Sequence, residues 1–140
     1  MALVNKYDAT ANDSNKSWTV PDGKTWRLEW AHVILVTTVT GGNRQLVLKV
    51  LDDSNVVIGD WHAGTTQAAS LTGHYSFQQG IYRETAFVNT SIQIAIPTNL
   101  ILLPGWSIQI LDTAAVDAAA DDMTVALQVT EHALGRGHNV

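Results

Sequence analysis

Seven stretches of the chain alternate apolar and polar residues with a period of two. The cleanest is Met123-Thr124-Val125-Ala126-Leu127-Gln128-Val129, and Ser91-Ile92-Gln93-Ile94-Ala95-Ile96 repeats the pattern. Successive side chains of a strand point to opposite faces, so this period marks strands with one dry and one wet face. So many one-sided strands within 140 residues can bury their dry faces together only as a sheet packed on a sheet.

Turn residues separate the strands. Pro21-Asp22-Gly23-Lys24, Gly41-Gly42-Asn43, Asp52-Asp53-Ser54-Asn55, Pro97-Thr98-Asn99 and Pro104-Gly105 combine a preset φ at Pro with tolerance of positive φ at Gly and Asn. About eight strands result, which predicts an all-β fold: an antiparallel β-sandwich, jelly-roll-like. The alanine-rich segment Asp112 to Asp122 could form at most about three helical turns, marginal alone, and reads as a loop with at most one turn of helix. Residues 1–16 are rich in Asn and Asp and read as an extended N-terminal arm without its own core. The sandwich is expected over residues 17–131, with a flexible C-terminal tail over 132–140.

The longest strand candidate runs from Trp26 to Thr40. Strict alternation places Trp26, Leu28, Trp30, His32, Ile34 and Val36 on one face, and Arg27 and Glu29, then Val33, Leu35 and Val39, on the other. A strand that turns apolar on both sides either passes beneath another layer or meets a second subunit. Val33, Leu35 and Val39 are therefore the candidate oligomer interface. Trp26 and Trp30 are assigned to the core, while Trp18 and Trp61 are free to line a surface site.

Charge and composition exclude several functions. The net charge is −5, and the 8 basic residues are scattered, which argues against a nucleic-acid partner. The longest apolar runs, Ala31 to Val36 and Leu100 to Leu103, fall far short of the roughly 20 residues that span a bilayer, so no membrane partner is expected. The first eight residues hold no apolar stretch of signal-peptide length, which points to synthesis in a cytoplasm. The chain has no cysteine, so disulfides and thiolate-bound metals are ruled out. His32, His62, His74, His132 and His138 show no metal-ligand spacing, and no Gly-x-Ser-x-Gly or phosphate-loop motif occurs. Asp112, Asp117, Asp121 and Asp122 could offer oxygens to calcium, but they lack the spacing and central glycine of an EF-hand, and turn-capping explains them more simply. No catalytic, cofactor or metal residue is assigned, and the chain is not expected to be an enzyme.

Four segments resemble a group of small structural proteins of tailed bacteriophages. They are Pro21-Asp22-Gly23-Lys24-Thr25-Trp26-Arg27-Leu28; Gly42-Asn43-Arg44 with the strand ending Val50-Leu51-Asp52-Asp53-Ser54-Asn55-Val56-Val57; Leu103-Pro104-Gly105-Trp106-Ser107-Ile108; and the stretch from Asp112 through Asp117, Asp121 and Asp122 to Val125. The similarity covers roughly residues 18–131 and lies in turns and strands. It implies a β-sandwich virion component on the capsid exterior, a decoration (cement) protein that bridges subunits of the major capsid protein. No functional residue transfers with it. Such a role suits a closed homotrimer, with Leu3, Val4 and Tyr7 on the arm and Trp18 and Trp61 on the body as candidate partner contacts. The alternatives are a neck, tail or baseplate adaptor and a carbohydrate-binding module for host recognition.

Overall fold

A computed structural model describes residues 1–134, and the regular structure among them is strand throughout. The ten strands are β1 (Ala2–Asp8), β2 (Lys16–Thr19), β3 (Lys24–Val36), β4 (Leu46–Leu51), β5 (Val57–His62), β6 (Thr72–Gln78), β7 (Ser91–Ala95), β8 (Ile101–Leu102), β9 (Ser107–Asp112) and β10 (Asp122–Ala133). A six-stranded sheet has the order β1-β10-β3-β6-β7, with β8 also paired to β3. A four-stranded sheet has the order β2-β9-β4-β5.

The pairings are nested. β1 pairs with β10, β2 with β9, β3 with β6 and β4 with β5, all antiparallel. Nested antiparallel pairs describe one long hairpin rolled upon itself, which is the jelly roll. Those eight strands make the roll, and β7 and β8 are additions to it. β7 runs parallel to β6, a departure from the expected antiparallel sandwich.

Inward residues of both sheets interdigitate as period two requires. Val33, Leu35, Tyr75, Phe77, Ile92, Ile94, Met123, Val125, Leu127 and Val129 come from the large sheet, and Leu48, Val50, Ile108 and Ile110 from the small one. Trp18 and Trp61 lie on the two edge strands of the small sheet, β2 and β5, and close the core at either side. Trp61 folds back over Gly59, where a Cβ would come within 2.8 Å of its ring.

A β-bulge corrects the reading of β3. Val129 pairs with Leu28 but Gln128 pairs with Trp30, so Glu29 is an extra residue opposite the shift. The extra residue reverses the parity of the strand. Trp26 and Leu28 point inward before it; Ala31, Val33 and Leu35 point inward after it. Val33 and Leu35 are wholly buried within one chain and are not an oligomer surface. Val39 lies beyond the end of β3, exposed in a loop. The outward face is instead Trp30, His32, Ile34 and Val36.

The N-terminal segment is also corrected. Residues 2–8 form a full edge strand, paired along its length with β10, and supply the first strand of the roll. Its inner face holds one apolar residue, Val4, and the stem of Lys6, whose ammonium lies 5.3 Å from the ring centre of Trp26. That face is too sparse to signal a strand by composition. Lys16 starts β2 and is buried, so only residues 9–15 remain as a loop. β10 continues through His132 and Ala133, inside the expected tail, the Leu134 amide that follows donates to the Gly23 carbonyl, and residues 135–140 lie outside the described residues. Residues 113–121 form turns without a helix.

Candidate functional site

Among the described residues that depart from the inside-apolar, outside-polar rule, two groups stand out. The first is the outer face of the six-stranded sheet. The pairing registers align three central cross-strand rows on it. One row is Asn5, Gln128, Trp30, Gln78 and Ala95; the next is Tyr7, Ala126, His32, Ser76 and Gln93; the third is Thr124, Ile34, His74 and Ser91. None of these positions is Asp, Glu, Lys or Arg. Trp30, His32, Ile34 and Ala126 are half-buried by their neighbours, whereas Leu3 and Tyr7 at the β1 edge are 67% and 68% exposed. The rings of His32 and His74 lie 5.9 Å apart, and Ser76 Oγ is 3.4 Å from His32 Nδ1. Burial, and then the charge of His74, hold His32 below the usual imidazole range.

The outer face of the small sheet carries charge at its centre, in the row Ser17, Gln109, Lys49 and Asp60, between the uncharged rows His62, Val47 and Leu111 on one side and Val57, Leu51, Ser107 and Thr19 on the other. A broad uncharged band carrying Trp, Tyr and Ile matches the composition of a protein–protein patch, and a row with charges of both signs matches ordinary solvated surface.

The second region is a buried charged cluster at one rim, where the loop before β2, the end of β9 and the starts of β4 and β10 converge. Arg44 and Asp121 are both fully buried and pair in a two-pronged arrangement, Nε to Oδ2 at 2.8 Å and Nη2 to Oδ1 at 3.1 Å. Arg44 Nη1 also donates to the carbonyls of Thr40 and Gly42, and the Thr38 amide donates to Asp121 Oδ1. Burial works against ionisation of Asp121, but the bonds from Arg44 and Thr38 outweigh it and hold the carboxyl below its usual range. Asp117 accepts from the hydroxyls of Thr38 and Thr40 on the flank of this pair.

Beside that satisfied pair stand two carboxylates that are not satisfied. Asp112 Oδ1 accepts from the amides of Gln45 and Ala114, but its Oδ2 has no hydrogen-bond partner. Asp13 is 3% exposed and neither of its oxygens has one. Burial first, and then Asp112 and Asp121, push the Asp13 carboxyl up to about 7. One oxygen each from Asp13, Asp112 and Asp121 lies within 4.8 Å of the others.

No family model matches the chain, and no curated protein matches it. Among solved structures, a chain of infectious bursal disease virus Gx strain aligns with a TM-score of 0.39 at 9% identity, covering 96% of this chain and 33% of that one. VP2 of the infectious bursal disease virus subviral particle aligns with a TM-score of 0.35 at 12% identity, again over 96% of this chain and 33% of the other. The chain thus spans about a third of the length of these two proteins.

The residues singled out by sequence fall in different places. Leu3 and Tyr7 lie on the outer face of the large sheet, and Val4 points into the core. Trp18 and Trp61 both face inward on opposite edges of the small sheet, with β9 and β4 between them, so they form no shared stacking platform. Trp61 alone borders an open cleft of about 300 Å³ with Asp60, His62 and Arg83. The outer-face role of Trp30, His32 and Ile34 was hidden by the bulge. Asp13 carried no sequence signal beyond its place in a polar segment, because its neighbours in space come from residues 112 and 121. His138 lies outside the described residues.

Proposed function

We propose that the chain is a non-enzymatic structural component of a tailed-bacteriophage virion, a decoration protein that stabilises the head from outside by bridging major capsid subunits. The observation that carries the reading is the uncharged central band of the six-stranded sheet's outer face, centred on Trp30, Ile34 and Tyr7 and bordered by Arg27, Glu29 and Asp122. A rigid two-layer body, the absence of any Lys/Arg cluster in the sequence and the resemblance of its turn and strand segments to small structural proteins of tailed bacteriophages support it. The face docks on the shell, and a closed trimer gives the symmetry to meet several shell subunits at once.

Co-sedimentation with heads of the phage that encodes the chain tests this, followed by cryo-electron microscopy of the particle. The wild-type chain is expected to pellet with heads at hundreds of copies (an order-of-magnitude figure from shell symmetry), and the double variant Tyr7→Ser/Ile34→Ser to remain in solution. About a dozen copies at one vertex would replace this reading with a neck or tail adaptor. Saturable glycan binding lost in Trp61→Ala would replace it with the carbohydrate module.

A further inference from the structure

The loop of residues 9–15 turns one residue fully inward, and that residue is an acid. Its neighbours Thr10, Ala11, Ser14 and Asn15 are exposed, while Asp13 is buried against two other carboxylates. The backbone holds it there: the Asp13 amide donates to the Ala118 carbonyl, and the Met123 amide to the Asn12 carbonyl. A loop free to place any residue inward would not by itself choose a third carboxylate. An orphaned buried carboxylate oxygen costs several kcal/mol in general terms, so its charge demands a partner.

We propose that Asp13, Asp112 and Asp121 bind one divalent cation, and that its chemistry is that of calcium. Charge sets the valence. Once Asp13 gives up its proton, three carboxylates against the one guanidinium of Arg44 leave two negative charges among these four groups, which one divalent ion neutralises. The donors are all oxygen, which selects a hard cation over zinc or copper. Of the common hard cations, calcium accepts irregular cages of protein oxygens, whereas magnesium demands near-octahedral geometry and keeps several of its waters, so a set of three carboxylates from separate parts of the chain suits calcium better. The free atoms are the right ones: Asp112 Oδ2 and both Asp13 oxygens face no donor, and Asp121 Oδ2 keeps a lone pair beyond its bond from Arg44. The ion would fasten the loop after β1 to the end of β9 and the start of β10, locking the first strand of the roll to the last. This inference does not depend on the virion role.

The test uses the full chain stripped with EDTA and titrated with Ca²⁺, read by isothermal titration calorimetry and by thermal unfolding. One ion per chain and a saturable rise in Tm are expected. Asp13→Asn, which keeps shape and removes the charge, should weaken binding by about tenfold or more. Asp117→Asn should keep the full response, because that carboxylate is already held by Thr38 and Thr40. No heat and no Tm shift in the wild type at up to ~10 mM Ca²⁺ would overturn the site, leaving Asp13 and Asp112 to share a proton. So would an equal response in Asp13→Asn, or an equal shift from Mg²⁺ at matched ionic strength.

Discussion

The buried rim cluster and the outer face of the large sheet break opposite rules, one by putting charge inside and the other by leaving aromatic and aliphatic groups outside. At the rim, Arg44 donates to the Asp121 carboxylate through Nε and Nη2 and to the Thr40 and Gly42 carbonyls through Nη1, and changing it would leave these buried acceptors without a donor. On the outer face, Tyr7, Trp30 and Ile34 support little of the interior, because the pleat turns them away from it. The difference separates what the fold needs from what it leaves over. A charge buried inside is constrained by stability; an apolar group held outside is available to a partner.

The largest expected effect tests the constrained side. Arg44→Met leaves Asp121 ionised and unpaired beside Asp112 and Asp13, and should cost about 3–5 kcal/mol in urea unfolding. A loss below about 1 kcal/mol would erase the contrast between the two regions. Next in size is Asp13→Asn measured in EDTA. Removing one of three crowded carboxylates should raise stability by about 1–2 kcal/mol, an increase that chemical denaturation resolves. A destabilised variant would mean that Asp13 is held by an interaction other than a cation.

On the outer face, Tyr7→Ser/Ile34→Ser should lower unfolding free energy by about 1–2 kcal/mol, mostly from half-buried Ile34, while abolishing head binding. A large stability loss there would make the face part of the fold and not a contact surface. The smallest effect is a pH dependence. His32 has a folded-state affinity for protons below that of a free imidazole, near 6.5, so the unfolded chain binds the proton first as pH falls. Its contribution is therefore fully present above that value and is lost as pH drops from about 7 through 6.5 towards the lower folded value. The ring is partly exposed, and solvent screening limits the effect to a fraction of a kcal/mol. Comparing His32→Asn with wild type at pH 7.5 and pH 5 measures it, and identical pH slopes would show that His32 is not the responsible group.

Most of the roll was legible because its signals are local. The alternation of Met123 to Val129 and Ile92 to Ile96, and the turn at Asp52 to Asn55, need no knowledge of distant residues, whereas Gly41-Gly42-Asn43, expected as a hairpin turn, instead carries the chain from β3 in one sheet to β4 in the other. Asp52 Oδ1 does accept from the amides of Ser54 and Val56, as a turn aspartate should. Two features were illegible for the same reason. Strict alternation along β3 fails at Glu29, because a bulge is defined only by the partner strand β10. β1 looked like an arm because an edge strand with one inward apolar residue is recognisable only once its neighbour is in place.

By itself, the chain's order of residues determined the strand period, most of the turns and the two-layer architecture, since each depends on neighbours a few positions apart. Which face of β3 looks outward, that the first residues close the roll, and that Asp13 meets Asp112 and Asp121 were decided by tertiary structure. Pairing register and the convergence of loops join residues about a hundred positions apart, and no local pattern encodes a distance of that kind.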